Sequence, residues 1–544
     1  MMDPRMLLAA SVLAPLALLL ACVSPRLRAR MPALLALAPV PALAAASLAI
    51  GDPARSLSVT LLRVTLRLDL PGAMLLGAAA LLWIAAGAFA AVALRKKPNR
   101  DRFAVWWLLT LTGNLGVFLA ADLASFYLFF ALVSLSAYGL VVHDGTSQAK
   151  RAGGIYVGLA LLGEAALLMG FVLLAIATPG DSLLIRDAVA ALPTSPWRDA
   201  TLALLIAGFG LKIGLVPLHV WMPLAYAAAP FPAAAVMSGA AVKAGVIGMI
   251  RFLPLDAPQP AWGSALAAAG LFSAFFGVAV GITQRNPKAV LAYSSVSQMG
   301  LLAAVFGMGL AAGDASTASA ASFYAAHHVL VKGGLFLALG VAATTSARRT
   351  WLVLVPATVL SLSLAGLPLT GGMLAKWVVK APLGDGTVGT LATLASAGST
   401  LLMLHFLHRL VVTSPRDAAQ RVLRGLSMPW LATAFASVAF PWALFRTVSS
   451  SSILDVLGPA SLWKAFWPIA IGAVLAVALR RIGHRMPRVP EGDWVVVIEP
   501  ATRALRRCSA AMEHADELLR RWPVAGVSLL AVALLLGILV LVRP

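Results

Sequence analysis

At 544 residues, 60% hydrophobic and only 12% charged, the chain carries too little polar surface for a soluble protein of its length. Apolar runs of about 20 residues, each long enough to cross a bilayer, recur along nearly all of it. The net charge of +21 would suggest nucleic acid as a partner in a soluble protein; here it reads as basic loops held on the inner side of a membrane, and no nucleic acid is expected.

The pattern predicts an all-α polytopic membrane protein of about sixteen spans. The first, 6–22, lacks a basic flank before it and a small-residue cleavage site after it, so it reads as a retained span. Spans at 32–50, 71–95, 104–121, 123–142 and 155–177 follow. The last of these carries Glu164, the single glutamate inside any span, while Asp122 sits at a tight outer turn. An isolated carboxylate at such depth is either neutral or paired. The next span, 200–228, is longer than a bilayer requires, and Pro217 within it should break the helix. Lys212 precedes that break in GFGLKIGLVPLHVW, with His219 just beyond it.

Span 231–252 carries Lys243 near its middle, and 262–282 is apolar. Span 289–310 is unusually polar: Tyr293, Ser294, Ser295, Ser297 and Gln298 could hold ordered water or act as interhelical glue. In 321–343, His328 and Lys332 are four apart and share one face, whereas His327 points about 100° away. Span 351–382 repeats the long, interrupted pattern, with Pro368 as the break and Lys376 after it. Lys380, one turn further out, reads as an exit-side or snorkelling group. Spans at 390–412, 427–447 and 460–480 complete the main body. Segment 481–522 is basic, with apolar residues Leu505, Cys508, Met512, Ala515 and Leu519 at helical spacing, which suits an amphipathic helix on the inner surface. A last span is expected at 524–542.

With the N-terminus placed outside, 27 of the 42 lysines and arginines fall in inner loops and 10 on the outer side. That bias puts both termini outside. The remaining five, Lys212, Lys243, Lys332, Lys376 and Lys380, fall inside spans. A lysine at mid-bilayer costs about 2.5–3.5 kcal/mol on insertion scales, so a span does not carry one without a reason. A lysine beside a helix break can simply satisfy the freed carbonyls. It can also bind and release a proton, because desolvation destabilises its ammonium form. Glu164, on the span before Lys212, is the candidate counter-charge. No dinucleotide or phosphate loop and no cysteine cluster is present, and Cys22 and Cys508 suggest neither a metal site nor a disulfide. No cofactor and no metal is therefore expected. Two interrupted spans, five apart in order, hint at an internal repeat of five helices in opposite orientations.

These residues resemble the antiporter-like subunits of respiratory complex I, Mrp-type sodium/proton antiporters and membrane-bound hydrogenase or formate hydrogenlyase complexes. The stretches that carry the resemblance are LKIGLVPLHVWMPLAYAAAPFPAAAVMSGAAVKAGVIGMIRF, PKAVLAYSSVSQMGLL, HHVLVKGGLFLALG and LPLTGGMLAKW, within a similarity running from about residue 70 to 447. The resemblance implies a fourteen-helix core: N-terminal helices in 1–103, one five-helix repeat in 104–252 and an inverted one in 262–412. Residues 427–480, the surface segment 481–522 and the last helix in 524–544 then follow. It implies proton transfer by Lys212 as the central lysine, Lys243 as the connecting one, His328 and Lys332 as a bridging pair, and Lys376 on the exit side. The family's fifth-helix glutamate is missing, since Ala131 stands in its place in FYLFFALVSLSAYGL, and Glu164 on the neighbouring helix is the expected replacement.

The expected activity is proton translocation within a multi-subunit assembly in a bacterial inner membrane. Other membrane subunits, protons, possibly sodium ions and the lipid bilayer are the expected partners. The alternative is a membrane anchor, with impaired transport of its own, for a hydrogenase or an inorganic-carbon-uptake enzyme. Any quinone redox step would belong to partner subunits.

Overall fold

The structure, a computed structural model, describes residues 4–52, 57–61, 64–346, 349–414, 424–482 and 489–493. The expected last span and most of the expected amphipathic segment lie outside the described residues.

The principal helices run in the order α1 (Pro4–Ala21), α2 (Val40–Gly51), α3 (Leu70–Ala93), α4 (Arg100–Leu119), α5 (Leu123–Val141) and α6 (Ser147–Ala177). They continue with α7 (Arg198–Ile213), α8 (Trp221–Ala228), α9 (Phe231–Phe252), α10 (Pro260–Gly281), α11 (Pro287–Ala312) and α12 (Thr317–Ala342). The series closes with α13 (Thr350–Ala365), α14 (Gly371–Leu383), α15 (Thr387–Thr413), α16 (Arg424–Val448) and α17 (Pro459–Ile482). Among the described residues, eleven helices are long and apolar enough to cross a membrane. The chain is a multi-pass membrane protein.

Some of the polar residues of this apolar chain cap helix starts. Asp122 caps α5 by accepting from Ser125 N at 2.8 Å, Thr146 caps α6 through Ala149 N at 3.1 Å, and Asn286 caps α11 through Lys288 N at 3.0 Å. Such a side chain satisfies an amide that the first turn leaves without a partner.

Neither long interrupted span breaks at its proline. α7 ends at Gly214, in the left-handed region at φ 75°, and α13 ends at Gly366, at φ 98°. In both, the residue after the glycine donates back to the carbonyl five earlier: Leu215 N to Gly210 O at 2.8 Å and Leu367 N to Leu362 O at 3.0 Å. This is the glycine C-cap, in which a proline soon afterwards keeps the helix from resuming. Pro217 and Pro368 follow within three residues of their glycines, and the chain resumes as α8 and α14.

Two features depart from expectation. The chain is not wholly α-helical, because Leu57–Leu61 (β1) and Val64–Leu68 (β2) pair as an antiparallel hairpin, with Leu57 opposite Leu68 and Leu61 opposite Val64. LSVTL and VTLRL alternate apolar and polar residues, a period-two signal too short to stand out among long apolar runs. Asp122 Oδ2 ties the hairpin to the start of α5 by accepting from Thr65 N at 2.8 Å. The expected span 32–50 is also divided, into a single turn at Met31–Leu34 and α2.

Burial ranks the helices. α11 and α12 are enclosed along their whole apolar lengths, whereas α6, α16 and α17 lie at the periphery. α10 and α11 pack so closely that a Cβ on Gly270 would sit 2.5 Å from Ala304 N, and one on Gly300 would sit 2.6 Å from Ala274 N. Glycine at such contacts lets backbones approach where lipid supplies no hydrophobic drive between helices.

Candidate functional site

The central helices place every candidate residue inside the protein. Lys243, His328 and Lys332 are wholly buried, Glu164 and Lys212 nearly so. Lys376 is half-buried and faces a cavity.

Lys212 lies in the last turn of α7, and its Nζ donates to Ser134 Oγ of α5 at 2.8 Å, with the Phe130 ring 5.4 Å away. Glu164 of α6 lines the same cavity of about 10 Å³ as Lys212 and Ser134. That is room for one water at most. The carboxylate and the ammonium share this enclosure without forming an ion pair within 4 Å, and both Glu164 oxygens are buried without a hydrogen-bond partner among the described residues. Trp221 Nε1 reaches across the break to Leu211 O at 2.9 Å, a carbonyl in the last turn of α7 that also accepts from Gly214 N at 3.1 Å. Lys212 Nζ bonds Ser134 of α5, while Gly214 N and Leu215 N serve the last carbonyls of α7.

From Lys212 the row continues through α9. Gly245 packs against α7, where an added Cβ would sit 3.0 Å from Lys212 Cβ. Just before Lys243, α9 makes a π-helical turn over Met237–Ala241. Such turns shift helical register and often occur at functional sites. The turn has its own supports: Asn114 Nδ2 donates to Ala240 O at 3.2 Å, and Ser238 pairs with Ser295 of α11 at 3.0 Å. Lys243 Nζ then meets His328 Nδ1 of α12 at 2.6 Å. The other ring nitrogen of His328 is buried without a hydrogen-bond partner among the described residues. One turn on, Lys332 Nζ donates to Leu291 O at 2.8 Å.

Lys376, on α14, donates to Ala365 O at 2.6 Å and to Ser396 Oγ of α15. It lines a cavity of about 660 Å³ together with Lys380, Asp385, Thr393, Ser396 and Lys464. Lys380 pairs with Asp385 at 3.3 Å and is largely exposed. Lys464 brings α17 into the wall of this vestibule.

The polar face of α11 divides by residue. Gln298 accepts from Tyr324 of α12 and donates to Ser399 of α15 at 2.8 Å, which joins three helices. Ser294 reaches only Met403 Sδ, at 3.9 Å.

Two residues exceed what the sequence suggested. Lys288, counted among the inner-loop charges, is half-buried and donates to Ala227 O and Ala229 O at 3.2 and 2.6 Å, closing the end of α8. His327, set aside as pointing away from His328, is buried and bonds Ser363 Oγ of α13 at 2.9 Å. Helical spacing gives its direction but not what waits there. Among the described residues no group of three or more metal-ligating side chains comes together.

The family model for the NADH:quinone oxidoreductase/Mrp antiporter transmembrane region matches residues 120–402, just over half of the chain. An uncharacterized protein of Mycobacterium tuberculosis is 36% identical over 281 residues, which is 48% of this chain and 43% of that protein. NADH-quinone oxidoreductase subunit N of Desulforudis audaxviator is 32% identical over 321 residues, 54% of this chain and 61% of that subunit. The chain thus spans about half the length of the curated relatives it matches. A chain of the Mrp complex from Dietzia shares the fold, with a TM-score of 0.70 over 88% of this chain and 100% of that one, at 20% identity.

Proposed function

The chain belongs to the NADH:quinone oxidoreductase/Mrp antiporter transmembrane family, and on that basis we propose that it translocates protons along its buried lysines and histidines. The observation that carries this reading is the 2.6 Å contact between Lys243 Nζ and His328 Nδ1, wholly enclosed by protein. An amine and an imidazole this close cannot both be charged without large repulsion. One proton shared between them can pass from either to the other.

Lys212 is the central station, poised by Glu164 across Ser134. Lys243, His328 and Lys332 carry the proton between the broken helices, and Lys376 delivers it to the vestibule. The carrier set offers several basic nitrogens and one carboxylate, which suits a proton better than a sodium ion, whose preferred ligands are oxygens. The glycine-capped breaks of α7–α8 and α13–α14, with a lysine beside each, support two five-helix repeats in opposite orientations. The chain serves within a multi-subunit assembly in a bacterial inner membrane, with both termini outside. The anchoring alternative is disfavoured by the cost of keeping Lys243 and Lys332 fully buried.

The test is proton flux into proteoliposomes containing the assembly purified through a tag on this chain. A valinomycin potassium potential drives the flux, so no partner reaction is needed. Lys212→Met and Lys243→Met should each lower it at least tenfold, and replacing external sodium by choline should leave it unchanged. Wild-type flux in both variants would refute proton carriage; sodium dependence would favour cation exchange.

A further inference from the structure

We infer that His327 is a second proton carrier on α12, linking the Lys243–His328 contact to Lys376 through the Ser363 hydroxyl. The inference rests on the proton-carrying reading above and gives it a route across the second helix break.

The geometry is that of a relay. His327 and His328 are consecutive, so their rings leave α12 in different directions. His328 faces Lys243 of α9, whereas His327 faces the gap between α13 and α14. Ser363 lies in the last turn of α13, and its Oγ accepts from Gly372 N at 3.2 Å, so the hydroxyl spans the break. An added Cβ on Gly371 would meet His327 Cδ2 at 3.1 Å, which places the imidazole against the first turn of α14. Two residues beyond Ser363, Ala365 O receives Lys376 Nζ. The histidine is thus seated in the break of the very helix pair that carries Lys376.

Each passage carries one proton in at Nδ1 and out at Nε2, and leaves His327 as its other neutral tautomer, which must exchange its ring hydrogen back to Nε2 before the next. With Gly372 N–H donating to Oγ, the hydroxyl hydrogen points either to Nε2 of a neutral His327 or away from it, toward the Lys376 side. When His327 takes a proton from the His328 side, its Nε2–H donates to Oγ. The hydroxyl hydrogen turns outward and moves on to the neutral amine of Lys376, directly or through one water. Oγ keeps the proton received from Nε2, and the imidazole returns to neutral.

A parallel chain, Tyr324 to Gln298 to Ser399, approaches Lys376 from α11 and α15, since Ser396, which bonds Lys376, is one turn from Ser399. Its middle member is an amide, which orients neighbours but does not hold an extra proton near neutral pH. His327 is the titratable route.

The experiment uses the same proteoliposome flux with His327→Gln, His327→Leu and Gln298→Leu. Glutamine reaches Ser363 with a hydrogen bond but carries no proton; leucine removes both functions. A relay predicts that Gln and Leu fall together, at least tenfold, with assembly and thermal unfolding of the Gln variant close to wild type. A purely capping role predicts wild-type flux in Gln and loss in Leu alone, and that result overturns the inference. So does a fall in Gln298→Leu with none in His327→Gln. Should the Gln variant fail to assemble, Ser363→Ala decides: it must show the same tenfold fall, and unchanged flux refutes the relay. Lys212→Met runs alongside. If it too leaves flux intact, proton carriage itself has failed; if it alone lowers flux, only His327 is misassigned.

Discussion

Lys212 bonds a neutral hydroxyl rather than the carboxylate that shares its enclosure. The Ser134 hydroxyl accepts from Lys212 Nζ at 2.8 Å, and Glu164 lies in the same small enclosure. A carboxylate held near an ammonium, but not bonded to it, remains coupled to it through Coulomb attraction. Moving a proton onto either group then alters the other, which a locked ion pair would resist. Ala131, where the family resemblance would place a glutamate, lies one turn before Ser134 on the same helix. Glu164 approaches the lysine from α6 instead. Changing Glu164→Gln should therefore lower valinomycin-driven proton flux at least tenfold, as Lys212→Met should, with little change in assembled protein. Adding Ala131→Glu to that variant should restore a substantial part of the flux, because it returns a carboxylate to the lysine from α5. Normal flux in Glu164→Gln alone would show that Lys212 works without this carboxylate.

At the scale of elements, the breaks and the close helix pairs do most of the positioning. Gly366 takes a left-handed backbone that a residue with a side chain adopts only at about 1–2 kcal/mol, and an added Cβ would lie 2.8 Å from Lys376 Cδ. Gly366→Ala should accordingly lower the thermal unfolding midpoint in detergent and impair flux by displacing Lys376, while Gly386→Ala, where nothing lies within 4 Å, should do neither. The α10–α11 pair makes a separate demand. Gly263, Gly270 and Gly277, seven apart, each bring α10 against backbone atoms of α11. Gly270→Val should lose about 1–3 kcal/mol to overpacking, read as reduced yield of folded protein in membranes. A wild-type yield would mean that the two helices can separate without penalty.

The prolines announced both breaks, but the glycines three and two residues earlier end the helices. Proline breaks a helix by rule, whereas glycine does so only where a cap forms, and cap formation depends on packing that a single sequence does not display. The π turn before Lys243 was illegible for the same reason. Its carbonyl is served by Asn114, 126 residues away. Lys212, Lys243, His328, Lys332 and Lys376 could be singled out because a charge in an apolar run is visible without knowing its neighbours. The role of His327 could not, since it depends on Ser363 across an interhelical contact.

For the whole molecule, the decisive property is direction. The charge bias places Lys380, Asp385 and Lys464 on the outer side, so the cavity of about 660 Å³ beneath them would open outward from Lys376. Asn286 and Lys288, at the start of α11, would then face the inner side, and they line a separate cavity of about 320 Å³. On the proposed orientation, each face would have its own cavity. Cysteine labelling tests this arrangement directly. In a background with Cys22 and Cys508 changed to serine, Thr393→Cys should react with a membrane-impermeant maleimide applied to intact spheroplasts, and Asn286→Cys should not. In inverted vesicles the reactivities should exchange. Bound valinomycin-driven flux should also drop once the Thr393→Cys variant is labelled, because the adduct fills the chamber beside Lys376. Labelling of Asn286→Cys from the outside would reverse the direction assigned to the whole row, while labelling of both sites from one side would mean that the vestibule is not the exit.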